Sequence, residues 1–323
     1  MLLVGPNPYG LTCTLGLQGK AEHPKNVMWF VGLAEAMSAR AIELHFASLP
    51  SDAEALDELR DRLASHAIQP VVSGPAPLAT IAAAIPVAKR LGAKVVRTHL
   101  SPILCGARAA QGEHWNEIVR GVRSNIAELG PKFADAELTL AIENHQDFGS
   151  EEMLEFCELG GPSVGITLDT GNPLAVCEEP IAFTRAVCHK VRHLHLKDYR
   201  AQPTPEGFRL VRCAIGDGAI PLQPIADVLA ETGRDLTATL EPGALEARHV
   251  KLLTPEWWHG YRERSEADKL ACLEATKTNA LVAEEDYRTP WERGESAQAI
   301  CDFEMEHMNK SVQNMISLGW LPA

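Results

Sequence analysis

The run AIENH (141–145) places Glu143 where a short apolar stretch gives way to a loop, and three further runs repeat the arrangement. ITLDT (166–170) carries Asp169, HLHLK (193–197) carries His195 and TATLE (237–241) ends on Glu241. The gaps between these four residues are 26, 26 and 46. About 25–30 residues make one strand, one helix and two loops, the repeat of a (β/α)8 barrel. All strands of such a barrel point the same way, so residues at their C-terminal ends meet in one pocket however far apart they lie in the chain. Three carboxylates and an imidazole meeting there make a site for a hard or borderline divalent cation.

Working outward, strand-length apolar runs alternate with helix-patterned segments. LTCTLG (11–16) reads as the first strand, AIELHF (41–46) as the second, IQPVV (68–72) as the third and KVVRTHL (94–100) as the fourth. ELTLAIENH (137–145), VGITLDTGN (164–172), VRHLHLKD (191–198) and DLTATLEPG (235–243) follow as strands five to eight. Helices are expected over 28–39, 52–67, 78–93, 114–136, 150–160, 180–189 and 221–233. Ser51-Asp52 and Ser150 offer capping chemistry, Pro86 a kink, and Gly130-Pro131 an interruption of the longest helix. The strands are apolar on both faces, as parallel strands covered by helices must be. No G-x-G-x-x-G follows the first strand, which argues against a doubly wound dinucleotide fold. The expected architecture is therefore a TIM barrel over 1–243, followed by a C-terminal helical and aromatic extension over 244–323. The alternating run FRLVRCAI within 199–220 suggests one arm of a small hairpin over the pocket. Trp257, Trp258, Tyr261, Tyr287 and Trp291 suggest that the extension packs on the barrel mouth or on a second subunit, and 296–320 reads as its final amphipathic helix.

Composition bounds the function classes. The net charge of −13 argues against nucleic acid or an anionic membrane as the main partner. No apolar run approaches the ~18 residues of a membrane span. The N-terminus MLLVGPNPYG lacks a basic region, and Gly and Pro break its apolar residues too early for a signal peptide. The eight cysteines are scattered with no C-x-x-C pair, so a zinc knuckle or dithiol motif is not expected and a reduced, cytoplasmic protein is.

A carboxylate in a barrel wall is costly to bury alone, and a metal removes that cost. Glu143, Asp169, His195 and Glu241 are thus the expected ligands, an oxygen-rich set suited to Mn²⁺ foremost, with Mg²⁺, Co²⁺ or Zn²⁺ as alternatives. Four protein ligands leave positions for two substrate oxygens. A cation chelating a hydroxyl and the adjacent carbonyl acidifies the neighbouring C–H. Glu143 and Glu241 would flank that carbon, one removing a proton and the other returning it through an enediolate. Such chemistry isomerises or epimerises a sugar; a leaving group or carboxylate beside the carbanion turns it into elimination or decarboxylation. His145 shares the Glu143 face and is placed as an acid or base. Lys197, on the face of His193 and His195, would reach over the mouth to an oxyanion or hydroxyl. His45 and His99, at the ends of strands two and four, are placed to bind substrate or a second metal; Asn172 is placed to bind substrate, and His193 reads either as substrate-binding or as a satisfied core histidine a layer below His195. Glu43 faces the side of His45, one layer down.

The series IENH (142–145), LDTGN (168–172), HLHLKD (193–198), GDG (216–218) and LEP (240–242) resembles the sugar isomerase/epimerase family with a xylose-isomerase-like barrel. The resemblance spans about residues 11–243 and implies the metal site and the Glu143/Glu241 acid–base pair position by position. That superfamily includes ketose 3-epimerases, hydroxypyruvate isomerases, inosose dehydratases, endonuclease IV-type repair enzymes, 3-oxo-isoapionate decarboxylase and the larger subunit of C-glycoside-cleaving enzymes. ENHQD (143–147) and the aromatic tail look closer to the oxo-sugar lyases. Asn172 stands where many epimerases have a histidine, and an arginine expected after the strand-seven histidine has no clear match, Arg200 being nearby. Both departures weaken a simple ketose-epimerase assignment; the missing histidines and the charge weaken DNA repair. The resemblance implies a small sugar or sugar derivative as substrate, a homo-oligomer, and a small second subunit should the chemistry be C-glycoside cleavage.

Overall fold

In a computed structural model of the protein, all residues except 19, 20, 75, 76, 263 and 323 are described. The strands are β1 (Leu2–Pro6), β2 (Ala41–His45), β3 (Gln69–Ser73), β4 (Val95–His99), β5 (Thr139–Glu143), β6 (Val164–Asp169), β7 (Val191–Leu196), β8 (Tyr199–Thr204), β9 (Gly207–Arg212), β10 (Leu236–Leu240) and β11 (Arg248–Val250). Eight of them form one parallel sheet in the order β1-β10-β7-β6-β5-β4-β3-β2. The edges come together: the Arg40 amide, just before β2, donates to the Val4 carbonyl in β1 at 2.9 Å. The sheet is thus a nearly closed (β/α)8 barrel. Helices α1 (Val27–Ala36), α2 (Ala53–Ser65), α3 (Ala84–Leu91), α4 (His114–Asp135), α5 (Ser150–Gly160), α6 (Pro180–Val187) and α7 (Leu222–Ala230) connect successive strands. Two more, α8 (Glu266–Ala275) and α9 (Ala297–Ser317), follow the barrel.

The first strand lies earlier than the sequence pattern suggests. Residues 11–16 form turns, and LLVGP (2–6) is β1, paired in parallel with β10 from Leu2↔Leu236 to Pro6↔Leu240. The alternation in LTCTLG reflects another kind of burial. Leu11 and Cys13 are buried among apolar groups, while Thr12 and Thr14 are buried against the Glu304 carboxylate of α9. Gly5, which makes 2–6 look interrupted, is what closes the barrel: a Cβ there would lie 1.7 Å from the Ala41 carbonyl oxygen.

Two helix features also differ. Helix α4 runs unbroken through Pro131, in its last turns, where one missing N–H costs a single bond. Its neighbour Gly130 permits close packing, since a Cβ there would stand 2.0 Å from the Gly160 oxygen of α5. Ser150 does not cap α5. The Gly149 amide donates to Glu152 Oε2 at 3.0 Å, and the Ser150 amide and hydroxyl donate to Glu178 at 2.8 and 2.6 Å. Asp52 caps α2 as expected, accepting from the Glu54 and Ala55 amides.

The segment after β7 is an antiparallel hairpin, β8–β9, extended by β11 into a three-stranded sheet. Asp198 fixes its base: its carboxylate accepts from the amides of Tyr199, Gly216, Gly218 and Ile220 at 2.8–3.0 Å. The glycines of GDG (216–218) therefore serve the loop and stand apart from the chemistry. Later residues cover this region. The Leu281 amide donates to Ala201, and Gln202 donates to the Ala283 and Glu285 carbonyls. Trp257 is buried, stacks on Tyr261 at 5.7 Å and packs on Gly106, in the loop after β4. Trp291 packs near Cys13, Ala244 and Ile300. No helix among the described residues is long and apolar enough to cross a membrane.

Candidate metal centre and active site

Glu143 and Asp169 are the last residues of β5 and β6, His195 is the penultimate residue of β7, and Glu241 follows β10 directly. The barrel brings the four together: one ligand atom from each lies within 4.8 Å of the others. Glu143, Asp169 and His195 are fully buried and Glu241 is nearly so. In each residue one buried atom, Oε1 of Glu143, Oδ2 of Asp169, Nδ1 of His195 and Oε2 of Glu241, makes no hydrogen bond of good geometry, although Asp169 Oδ2 lies in an ion pair with Lys197 and His195 Nδ1 faces Glu241 Oε2 at 2.9 Å. Unsatisfied buried polar atoms are costly singly. Four of them converging on one point fit a cation that would accept all four lone pairs.

The remaining atoms are held by the protein. Asp169 Oδ1 accepts from the Gly171 and Asn172 amides at 2.9 and 3.0 Å, which leaves Oδ2 for the site. Glu143 Oε2 pairs with Arg97 of β4. Lys197 Nζ bridges Asp169 Oδ2 and Glu241 Oε1 as an ion pair, at 2.7 and 2.6 Å. The ring of His195 turns Nε2 to Glu43 Oε2 at 2.6 Å and Nδ1 toward Glu241 Oε2, 2.9 Å away. A carboxylate on the far nitrogen fixes the tautomer, so that the near nitrogen presents its lone pair to a metal. Glu43 is itself buried and held by His193 Nε2 at 2.8 Å, Ser73 Oγ and, at 3.4 Å, Asn7 Nδ2.

The electrostatics agree. Burial opposes ionisation of Glu43, but His195 and His193 outweigh it and hold the carboxyl well below its ordinary range. Burial likewise opposes protonation of His195, and the charges of Glu43 and Glu241 override it, pushing the ring up to about 9. A site that draws a proton onto His195 so strongly is short of positive charge. Four carboxylates, those of Glu43, Glu143, Asp169 and Glu241, face two paired cations, Arg97 and Lys197. With Arg212 acting on Glu241 at longer range, the cluster still carries a net negative charge that a divalent ion would offset.

The other expected site residues separate into groups. His45, His99 and His145 are half-buried at the strand ends, with the His99 and His145 rings 5.7 Å apart. Burial, then Arg97, lowers His99 to about 4; burial, then Lys197, His99 and Arg97, lowers His145 well below its ordinary range, so both rings are neutral near pH 7. The Nδ1 atoms of His45 and His145 are buried without partners. Asn172 is buried, its Oδ1 taken by Gln146 and its Nδ2 unpartnered. His193 takes the second of its two expected places, not the substrate-binding one: it is buried one layer below the mouth, with Nδ1 on Thr237 and Nε2 on Glu43. Its two nitrogens are occupied because it shares the inward face of β7 with His195 but starts two residues deeper.

Three participants escape a reading of the sequence, wholly or in their role. Arg97 shares a face of β4 with His99, and its neutralising role depends on Glu143, 46 residues on. Tyr9, in the loop after β1, lies under the Arg97 guanidinium at 4.8 Å and edge-on to His45 at 5.9 Å. Glu43 lies on the face that strand alternation gives it, but its partner His195 is 152 residues away. A charged residue at an inward position of an apolar strand is the available signal for Arg97 and Glu43.

Residues 31–254 match the model of the xylose isomerase-like TIM barrel family. The chain belongs to that family. Among curated proteins it resembles the inosose dehydratase of Clostridium botulinum (strain Eklund 17B / Type B), at 27% identity over 146 residues, 41% of this chain and 48% of that one. It also resembles the 3-oxo-isoapionate decarboxylase of Pectobacterium atrosepticum, at 24% identity over 133 residues, 39% of this chain and 48% of that one. The chain thus spans about half the length of these relatives. Among solved structures, a D-tagatose 3-epimerase-like protein superposes with a TM-score of 0.56 at 15% identity, covering 85% of this chain and 97% of that one. A barrel protein from Mycobacterium smegmatis in complex with magnesium gives a TM-score of 0.56 at 15% identity, covering 84% and 97%. At such identities the structural likeness concerns the fold. The two curated relatives carry the names of enzymes, a dehydratase and a decarboxylase.

Proposed function

We propose that the protein is a divalent-metal-dependent enzyme that removes a proton beside a carbonyl of an oxidised sugar or polyol. The observation that carries the reading is the set of four buried ligand-type atoms, one each from Glu143, Asp169, His195 and Glu241, gathered within 4.8 Å. When bound by these residues, a divalent cation would polarise a carbonyl and stabilise charge that develops on its oxygen. The chain's own groups do the rest. Glu143 and Glu241 approach the same space from β5 and from the end of β10, with β6 and β7 between them, and would flank a bound carbon from two directions. Arg97 and Lys197 keep these carboxylates ionised and oriented, as a proton acceptor requires. Lys197 also places an ammonium where a substrate oxygen gains negative charge. His145, neutral and with a bare Nδ1 at the mouth, exchanges a proton with a substrate hydroxyl or leaving group.

Return of the proton to carbon gives isomerisation or epimerisation. Loss of hydroxide from the carbon next to the carbanion gives dehydration; in decarboxylation a carboxylate beside the carbonyl leaves as CO₂ in place of the proton, its C–C electron pair forming the enolate. The likeness to proteins named for dehydration and decarboxylation, with Asn172 in place of the epimerase histidine, favours the lyase outcome. The test has two parts. Purified protein should bind one equivalent of Mn²⁺, Mg²⁺, Co²⁺ or Zn²⁺, and Glu241→Gln should weaken it by at least about tenfold. A panel of 3-oxo-sugars and inososes in deuterated water then separates the reactions: deuterium gained at unchanged connectivity marks an isomerase or epimerase, and loss of water or CO₂ a lyase. A chain that takes up no metal, and whose Glu241→Gln variant is indistinguishable from the wild type, would end this reading.

A further inference from the structure

One buried cation near the site makes no ion pair among the described residues. Arg212, the last residue of β9, is 8% exposed, and its Nε and Nη1 are buried without a hydrogen-bond partner. Among the described residues no carboxylate lies within ion-pair distance of it; Glu246, which is near enough to feel its charge, pairs with Arg248. A guanidinium sheltered from water with unused donors is expensive, because its solvation is lost and nothing replaces it.

The surroundings of Arg212 point to the same pocket. Tyr199 is its register partner across the hairpin, so the two side chains stand on one face. Tyr199 is 1% exposed and its hydroxyl also lacks a partner. Two glycines make room for the pair. A Cβ at Gly171, two residues after Asp169, would lie 2.6 Å from the Tyr199 ring and 3.4 Å from Lys197 Cγ. A Cβ at Gly243, two residues after Glu241, would lie 2.7 Å from Arg212 Nη1, and its φ of +64° favours glycine besides. The Arg212 charge reaches Glu241 and Lys197. Beside Gly171, Asn172 Nδ2 is a further buried donor without an acceptor. Unused donors thus border the metal quartet on its hairpin side.

We infer that Arg212 and Tyr199 form a carboxylate subsite, and that the substrate is a sugar acid whose carboxylate rests on Arg212 while its hydroxyl and carbonyl oxygens face Glu143, Asp169, His195 and Glu241. This rests on the proposed metal-dependent reading and narrows its substrate class. The guanidinium fork engages two oxygens of either a carboxylate or a phosphate, but the single positive charge of Arg212 balances a carboxylate's one negative charge and not a phosphate's two.

The probes are erythronate, a four-carbon polyhydroxy acid, the uncharged erythritol, and erythritol 4-phosphate. Each is titrated calorimetrically into the metal-loaded full chain and into the metal-stripped chain. Erythronate should bind the loaded wild type at least about tenfold more tightly than erythritol and more tightly than the phosphate. Arg212→Gln should remove about tenfold of the erythronate affinity, and Tyr199→Phe about threefold, with erythritol unchanged. Should the Gln variant fail to fold, Arg212→Lys keeps the charge without the fork and should still lose about threefold. Equal binding of acid and polyol, tightest binding of the phosphate, or an erythronate affinity indifferent to Arg212 would overturn the subsite. Metal content of each sample separates the two readings. Full metal loading without Arg212-dependent acid binding refutes the subsite alone; Arg212-dependent acid binding by a chain that takes no metal supports the subsite and refutes the metal.

Discussion

His195 shows how far a single ligand depends on what stands behind it. Its ring is aimed by Glu43 at 2.6 Å, and Glu43 is held in turn by His193 and Ser73. With that carboxylate in place, Nε2 keeps its hydrogen and Nδ1 offers a lone pair to the quartet. Glu43→Gln preserves the shape but loses the charge, so the ring is less basic and its tautomer less strictly set. Groups in this position tune metal affinity by about 10–100-fold. Competition titration with a fluorescent chelator should show a loss in that range for Glu43→Gln, with the melting temperature little changed. An unaltered dissociation constant would mean that Glu43 serves packing alone. His193→Ala removes one of the groups holding Glu43 and should shift affinity in the same direction by less.

The elements differ in how much of themselves they write into the sequence. Strands β5, β6, β7 and β10 are legible because each is a short apolar run ending on a metal-type residue, and a parallel barrel gives all four ends one address. The ends of β2 and β4 are legible for the same reason, through His45 and His99. Strand β1 is not, because Gly5 and Pro6 look like breakers in a five-residue window. Their value appears only when β2 is laid alongside, with the Ala41 carbonyl where a Cβ would be. Pairings such as Arg97 with Glu143, or Arg212 beside Gly243, likewise depend on contacts between strands or loops and leave no local signature. The seam can be tested at Gly5. A methyl group 1.7 Å from a carbonyl oxygen forces β1 away from β2, so Gly5→Ala should destabilise by about 2–4 kcal/mol. Urea unfolding followed by circular dichroism reads this directly. A loss below about 0.5 kcal/mol would show that the seam is loose enough to open without cost.

At the scale of the whole molecule, the chain closes on itself through α9. Glu304 reaches from that helix to the loop after β1, where Oε1 accepts from the Thr12 hydroxyl and Cys13 amide at 3.0 and 2.9 Å. Its Oε2 accepts from the Thr14 amide and hydroxyl at 2.9 and 2.8 Å. Further along the same helix, Ser311 accepts from the Ile215 amide and Asn314 donates to Ile215 and Asp217, in the loop that Asp198 organises below the hairpin. One helix thus holds two loops, one leaving β1 and one leading to α7, and neither contains a member of the quartet. Glu304→Ala leaves the Cys13 and Thr14 amides buried and unsatisfied, at about 1–3 kcal/mol each, so the variant should lose about 3–5 kcal/mol in denaturant unfolding. Glu304→Gln should lose less: its carbonyl still satisfies one loop amide, while its NH₂ meets the other donor to donor. If α9 only covers the barrel, the two variants will unfold alike and bind Mn²⁺ as the wild type does. If α9 sets the loop after β1, Tyr9 and its contact with Arg97 will shift, and Mn²⁺ affinity will fall in Glu304→Ala although the replaced side chain lies outside the metal quartet.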